Sequence, residues 1–236
     1  MQTIIYQADG LEMHSELYSG EGSGLRPGVL VFPEALGLSD HARERAQRLA
    51  DMGYIALACD LHGNGFFEPD IDKVGPLFTP MMRDPMKTRA RAQGALDALL
   101  AQDRVDASRI AAIGFCFGGS MALELARSGA PLSAVVGFHS TLRTQRPEDA
   151  ANIKARILVA IGADDPVIDV AQRAAFEEEM RSGNVDWQIH LYGGVVHSFT
   201  NKAADQQNRP DMLRYNASAD ARSWKSMCAL FDEVFV

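Results

Sequence analysis

Cys116 stands in the run Gly114-Phe115-Cys116-Phe117-Gly118, and both its chemistry and its setting suit a nucleophile. The apolar stretch Arg109-Ile110-Ala111-Ala112-Ile113 precedes it, and the small-residue stretch Gly119-Ser120-Met121-Ala122-Leu123-Glu124-Leu125-Ala126 comes after. That order predicts a strand, a strained turn and a helix, with the central side chain forced out at the corner. A cysteine at a helix N-terminus meets unpaired N–H groups and the positive end of the helix dipole, which favour thiolate over thiol. The same turn leaves the Phe117 N–H free to bind an oxyanion. A lone cysteine before a helix is more often an inert core thiol, so the residues farther along the chain decide. Arg156-Ile157-Leu158-Val159-Ala160-Ile161-Gly162 reads as a buried strand ending in Ala163-Asp164-Asp165. Val185 to Tyr192 reads as another, ending in Gly193-Gly194-Val195-Val196-His197-Ser198-Phe199. Nucleophile, acid and histidine thus succeed one another after separate strands as Cys116, Asp165 and His197, with Asp164 as a neighbouring candidate for the acid. In those roles Cys116 attacks an acyl carbon, His197 moves the proton between thiol, leaving group and water, and Asp165 orients the ring.

Alternating strands and helices must hold these groups. Thr3 to Tyr6 and Met13 to Tyr18 predict an opening antiparallel hairpin, and Gly28 to Phe32 begins the buried sheet. Ser39 can cap a helix through about Met52 with Leu49 and Met52 facing inward, and Tyr54 to Cys59 comes next as a strand. The proline-rich stretch from Asp60 to Asp84 reads as irregular. Pro85 is placed to start a helix to about Gln102, whose apolar face is Ala92, Leu96, Leu99 and Leu100. Leu132 to Phe138 is a further buried strand, and helices around Val170 to Arg181 and Ala217 to Val234 cover the sheet. The whole, residues 1–236, is expected to be one α/β domain: a mostly parallel central sheet with helices on both faces and ligands gathered beyond the C-terminal strand ends. Glu34, Cys116, Asp165 and His197 all fall at such ends. So do His62 and His139, candidates for substrate contact or for structural hydrogen bonds. Met81 and Met82, with Phe66, Phe67 and Phe78, offer a pocket wall or plain core filling.

The motifs Gly-Phe-Cys-Phe-Gly-Gly at 114–119, Gly-Ala-Asp-Asp-Pro-Val at 162–167, Val-His-Ser-Phe at 196–199 and Val31-Phe32-Pro33-Glu34-Ala35-Leu36-Gly37 resemble those of the dienelactone hydrolase family. The resemblance runs from about Gly28 to the C-terminal helix. It implies an α/β-hydrolase fold, a Cys-His-Asp triad and cleavage of a small ester or lactone through an acyl-enzyme. It also implies Asp165 as the acid, because members place it three residues after the glycine that is Gly162 here. By the same resemblance Glu34 hydrogen-bonds the resting cysteine and accepts its proton when substrate binds, and the Ala35 N–H joins that of Phe117 in the oxyanion hole. Members that open dienelactones carry an arginine shortly after His-Ser-Phe. Ser198-Phe199-Thr200-Asn201-Lys202 has none, which leaves Lys202 or Arg209 as substitutes, Arg83 for a second arginine, and Ser198, His62 and His139 among the candidate substrate contacts.

Composition excludes several other classes. A formal charge of −8 disfavours nucleic acid or an anionic membrane as partner. No basic block, no leader-like N-terminus and no long apolar run occurs, so a cytoplasmic protein acting on a small molecule, as monomer or homodimer, is the expectation. The three cysteines, Cys59, Cys116 and Cys228, show neither a paired framework nor metal-type spacing, so free thiols and no metal or cofactor are expected. Two alternatives use the same residues: a thioesterase or promiscuous carboxylesterase, and a non-enzymatic ligand-binding or redox-sensing protein in which Cys116 is oxidised.

Overall fold

Side chains alternate across a strand, and in this chain both sets are apolar, which places the strands in the middle of the molecule. In β3 (Arg26–Phe32), Leu30 and Phe32 join one core layer while Val29 and Val31 join the other. In β5 (Val105–Phe115), Ile110 and Ala112 face the first layer, and Ala111, Ile113 and Phe115 the second. β7 (Arg156–Gly162) repeats the pattern with Ile157, Val159 and Ile161 opposite Leu158 and Ala160. Each such Val, Leu, Ile or Phe, fully buried, contributes on the order of 2 kcal/mol, so the sheet is pinned from both faces.

The computed structural model describes residues 1–236. Its other strands are β1 (Gln2–Ala8), β2 (Leu11–Ser19), β4 (Ile55–Ala58), β6 (Ala134–Phe138) and β8 (Trp187–Tyr192). All eight form one sheet in the order β1-β2-β4-β3-β5-β6-β7-β8. The β1–β2 hairpin and the β2–β4 pairing are antiparallel, and every pairing from β4 to β8 is parallel. β8 is an edge, paired to β7 alone. The first layer packs against α3 (Pro85–Leu100), α4 (Phe117–Arg127) and α5 (Val170–Ser182), the second against α1 (Asp40–Asp51) and α6 (Ala217–Val234). No helix is long and apolar enough to cross a membrane.

Three expectations need correction. The stretch read as irregular contains a helix, α2 (Ile71–Arg83), despite Pro76 and Pro80 inside it. Each proline removes a hydrogen bond and crowds a carbonyl one turn back. The burial of Val74 and Met81, and an Asp70 cap that accepts from the Asp72 N–H, offset that cost. Met52 is not an inward residue: it lies one position beyond α1, at its C-cap, and is 44 % exposed. Ser39 is the N-cap of α1, but its side chain makes no capping hydrogen bond.

Around α4 the packing is ionic as well as apolar. Arg127, wholly buried, grips Glu179 of α5 at 2.7 and 2.9 Å and Glu124 at 3.0 Å. Arg89 of α3 reaches Glu124 at 2.9 Å and Asp149 at 2.6 Å. Buried charges are tolerable only when paired in this way, and the ladder fixes α4 between its neighbours.

Candidate active site

Cys116 adopts φ 53° and ψ −121°, a conformation that a side chain resists, between the end of β5 and the start of α4. The surroundings enforce it. The Cys116 N–H donates to the Phe138 carbonyl at 3.0 Å, and α4 passes so close to β3 that a Cβ at Gly118 would collide with the Phe32 and Pro33 carbonyls. A Cβ at Gly119 would collide instead with the Ser140 side chain. The corner therefore exists because glycine lets helix and strand meet, and it aims the sulfur into a cavity beyond the strand ends.

His197 comes after β8 and is 3 % exposed. Its Nδ1 donates to Asp165 Oδ2 at 2.7 Å, and its ring hydrogen-bonds Cys116. Asp165, just beyond β7, is buried; its Oδ1 accepts the Val167 N–H at 2.8 Å, which fixes the carboxylate. Asp164 is exposed and does not meet the histidine. Burial alone would lower the His197 pKa, but the Cys116 sulfur and the Asp165 carboxylate outweigh it and raise it from 6.5 to about 10. Sulfur and carboxylate together thus favour the charged form of the ring.

Two neutral histidines lie behind it. His139 packs its ring against those of His197 and Phe199, each with centroids 5.2 Å apart, and its Nε2 meets Thr200 Oγ1 at 2.8 Å. Burial and the charges of His197 and Arg45 press its pKa well below 6.5. His41, buried beside Arg45, is pushed down to about 3. His139 is a packing residue and lines no part of the cavity, so it is not a substrate contact. His62 is likewise outside the cavity: its Nε2 donates to the Ala35 carbonyl at 2.8 Å. It clamps the loop that carries Glu34 and Ala35. The Ala35 N–H makes no hydrogen bond to another group of the chain, and the Phe117 N–H, at the first position of α4, has no carbonyl within the helix to receive it. Both residues border the same cavity as Cys116.

Glu34 is buried at the cavity wall, but its carboxylate is engaged elsewhere than the resemblance implied. Ser198 Oγ donates to Oε1 at 3.1 Å and Asn201 Nδ2 to Oε2, and no hydrogen bond joins it to Cys116. Burial raises the Glu34 pKa above the usual carboxylate range, against the lowering pull of Asn201, His197 and Ser198. Asn201 was not among the sequence candidates. The signal available was its capping position, since its Oδ1 accepts the Ala203 N–H ahead of the short 3-10 turn Lys202–Gln207.

The cavity holds about 230 Å³ and is mainly apolar, with Leu36, Ile71, Phe78, Met82, Val167, Ala203, Ala204, Met212 and Leu213 around the polar group at its base. Of the sequence candidates for its wall, Phe78 and Met82 line it, Met81 lies in the core, and Phe66 and Phe67 stay partly exposed outside. Arg83 and Lys202 do not reach it. Arg209 does, but its guanidinium is spent on Asp72 of α2 at 2.7 Å. No group of three or more His, Cys, Asp or Glu side chains is placed to hold a metal ion.

Comparison with known proteins shows the family. The model of the dienelactone hydrolase family matches residues 15–235. A curated relative from Bradyrhizobium sp, named "Probable 2-oxo-3-(5-oxofuran-2-ylidene)propanoate lactonase", is 30 % identical over 187 residues, 75 % of each chain. Among solved structures, one named m3DLH is 50 % identical with a TM-score of 0.93. A second, named as a dienelactone hydrolase-like promiscuous phosphotriesterase from metagenomic libraries, is 46 % identical with a TM-score of 0.95. Each of the two covers 99 % of this chain and is itself covered to 97 %.

Proposed function

The chain belongs to the dienelactone hydrolase family and is a carboxylic ester hydrolase, and from that premise we propose that it works through Cys116, His197 and Asp165 by way of an acyl-enzyme. The observation that carries the reading is the convergence of three strand ends: His197 Nδ1 meets Asp165 Oδ2 at 2.7 Å, and His197 shares one cavity with Cys116 at a strained strand-to-helix corner.

The sulfur adds to the carbonyl carbon of the ester. As the C–S bond forms, the carbonyl oxygen takes the negative charge and receives the N–H groups of Ala35 and Phe117. His197 then gives its Nε2 proton to the departing alkoxide, the C–O bond breaks, and a thioester remains on Cys116. In the second half water adds to that thioester carbon while the now neutral His197 takes its proton. Collapse breaks the C–S bond, releases the acid and restores the ion pair. Asp165 keeps Nδ1 as the donor, so that Nε2 faces the chemistry. Glu34 stands off the sulfur, held by Ser198 and Asn201, and shapes the buried wall beside His197.

The substrate is a small ester, lactone or thioester with an uncharged, apolar group beside the scissile carbonyl. The apolar lining favours it, and the one guanidinium at the wall is already paired with Asp72. A carboxylate set directly beside the carbonyl, as in dienelactone, would find no free cation there. The same lining suits a neutral phosphotriester, the substrate class for which the 46 % identical neighbour is named. The test is intact mass after mixing with nitrophenyl butyrate: a butyryl adduct on the wild type and none on Cys116→Ala. Equal turnover by both would remove Cys116 from the mechanism.

A further inference from the structure

His41 is a buried ring beside the site that the mechanism does not use. It lies in the first turn of α1, edge-on to Phe115 with centroids 4.5 Å apart. Arg45, one turn farther along, donates from Nε to His41 Nε2 at 3.2 Å. A guanidinium can only donate, so Nε2 is the acceptor and this neutral ring carries its proton on Nδ1. Arg45 is locked in that orientation: its Nη2 donates to the Thr200 carbonyl at 2.7 Å and to Asp220 of α6 at 2.9 and 3.0 Å. The Thr200 hydroxyl approaches the same Nε2 at 3.4 Å and meets His139 Nε2 at 2.8 Å.

The His41 Nδ1–H is left buried and without a partner. It faces Glu34 Oε2 at 3.9 Å. That gap is too long for a hydrogen bond and too short to admit a water, so a shift of roughly 1 Å closes it. An unpaired buried donor is costly, and a carboxylate oxygen has lone pairs to spare, so closure is favoured. Resting on the hydrolase reading above, we propose that His41 is a positioning residue for the reaction: its Nδ1–H is a third donor to the Glu34 carboxylate, beside Ser198 and Asn201, and keeps that carboxylate charged next to His197. The groups facing the carboxylate are His41 and Arg45 from α1 and His197, Ser198 and Asn201 from the segment after β8. The acids beyond them, Asp220 and Asp165, are engaged by Arg45 and His197. Burial opposes the charged form of Glu34, and Asn201, His197, Ser198 and Arg45 favour it. His41 adds to the second side. A charged Glu34 in turn supports the imidazolium that gives its proton to the leaving alkoxide.

Two amide variants separate the two halves of the ring. In His41→Asn the amide nitrogen stands where Nδ1 stood, which keeps the donor to Glu34 and gives up the acceptor for Arg45. In His41→Gln the amide stands where Nε2 stood, with the reverse effect. The readout is the infrared carbonyl band of protonated Glu34, identified by its loss in Glu34→Gln and followed against pH. In His41→Gln the band should appear at about tenfold lower proton concentration than in wild type, the loss of one hydrogen bond to a charged group, and in His41→Asn close to the wild-type value. A ring that only braces Arg45 predicts the opposite order. Adding His41→Gln to Glu34→Gln should lower kcat for nitrophenyl butyrate no further than Glu34→Gln alone. Nitrogen NMR of the wild type, which needs no variant to fold, should show His41 protonated at Nδ1. A proton on Nε2, a Glu34 band that moves in His41→Asn but not in His41→Gln or moves in neither, or a further loss of kcat in the double variant overturns the assignment. The infrared band is read without turnover, so absence of the butyryl adduct would refute the hydrolase reading alone.

Discussion

Replacing Asp165 by asparagine tests the centre of the mechanism with little change of shape. The wild-type carboxylate lies 2.7 Å from Nδ1 in a buried site, and it is one of the two groups that overcome burial to raise His197 from 6.5 to about 10. That rise is a preference for the charged ring of roughly 5 kcal/mol, shared between Cys116 and Asp165. An asparagine has no charge, and if its amide turns the N–H₂ toward Nδ1 it imposes the wrong tautomer on the ring. The expected result is a fall in kcat of about a thousandfold or more with little change in KM, because the lost interaction is strongest when the ring is charged. Nitrogen NMR of the imidazole should show the His197 pKa falling below about 10. Stability carries the same sign. A group whose pKa is raised by folding stabilises fully below its unfolded value and loses that contribution as pH climbs through the folded value. Wild type should therefore lose melting temperature between pH 6.5 and about 10, and Asp165→Asn should lose less over that window. Asp164→Asn should be mild, since that side chain is exposed. Activity of Asp165→Asn within about tenfold of wild type, or an equal loss in Asp164→Asn, would refute the assignment.

Neighbouring contacts set other outcomes. Cys116→Ala should keep the fold, read by circular dichroism, and lose acyl-adduct formation, while Cys116→Ser should lose most of its rate because the hydroxyl is far less acidic. Alkylation of Cys116 by iodoacetamide should slow in His197→Gln, which removes the cation beside the sulfur; an unchanged rate would dissociate the two groups. Glu34→Gln should lower kcat by removing a buried carboxyl group that interacts with the charge of His197, and wild-type turnover in that variant would leave Glu34 as a structural residue only. Gly119→Ala should be destabilised in urea by about 3 kcal/mol or more and be largely rescued by Ser140→Gly, whereas Gly118→Ala should resist rescue, because its Cβ meets backbone and not a side chain.

Much of the fold and of the site was legible in the chain because local chemistry and tertiary demand agreed. The runs around Leu30, Ile113 and Val159 are apolar on both faces and can only be inner strands, and Ser39 and Pro85 mark helix starts where helices begin. Cys116, Asp165 and His197 were visible because each ends a recognisable strand. Legibility failed where packing overrode local signals. Pro76, Pro80 and Gly75 disguise α2, whose reason to exist is the roof it forms over the cavity with Ile71 and Phe78. Histidines at strand ends look alike in sequence, yet His62 holds a carbonyl, His139 packs a ring and His197 alone meets a carboxylate. Asn201 carried only a capping pattern, and nothing in its neighbourhood pointed across the chain to Glu34.

The edge position of β8 has a consequence for how the enzyme fails. His197 lies in the loop after a strand that has a neighbour on one side only, tied down by its own bridge to Leu213, and peeling that strand breaks one ladder where releasing any inner strand breaks two. Local opening of an edge costs less than unfolding the whole domain. The expected first loss under heat or denaturant is therefore the placement of the general base, with the elbow, buttressed by the Arg127 ladder, still presenting its thiol. In that interval the molecule would be a folded body with a naked nucleophile, open to oxidants and to disulfide exchange, and its working lifetime would follow the hold of one border strand and of the Leu213 bridge beside it.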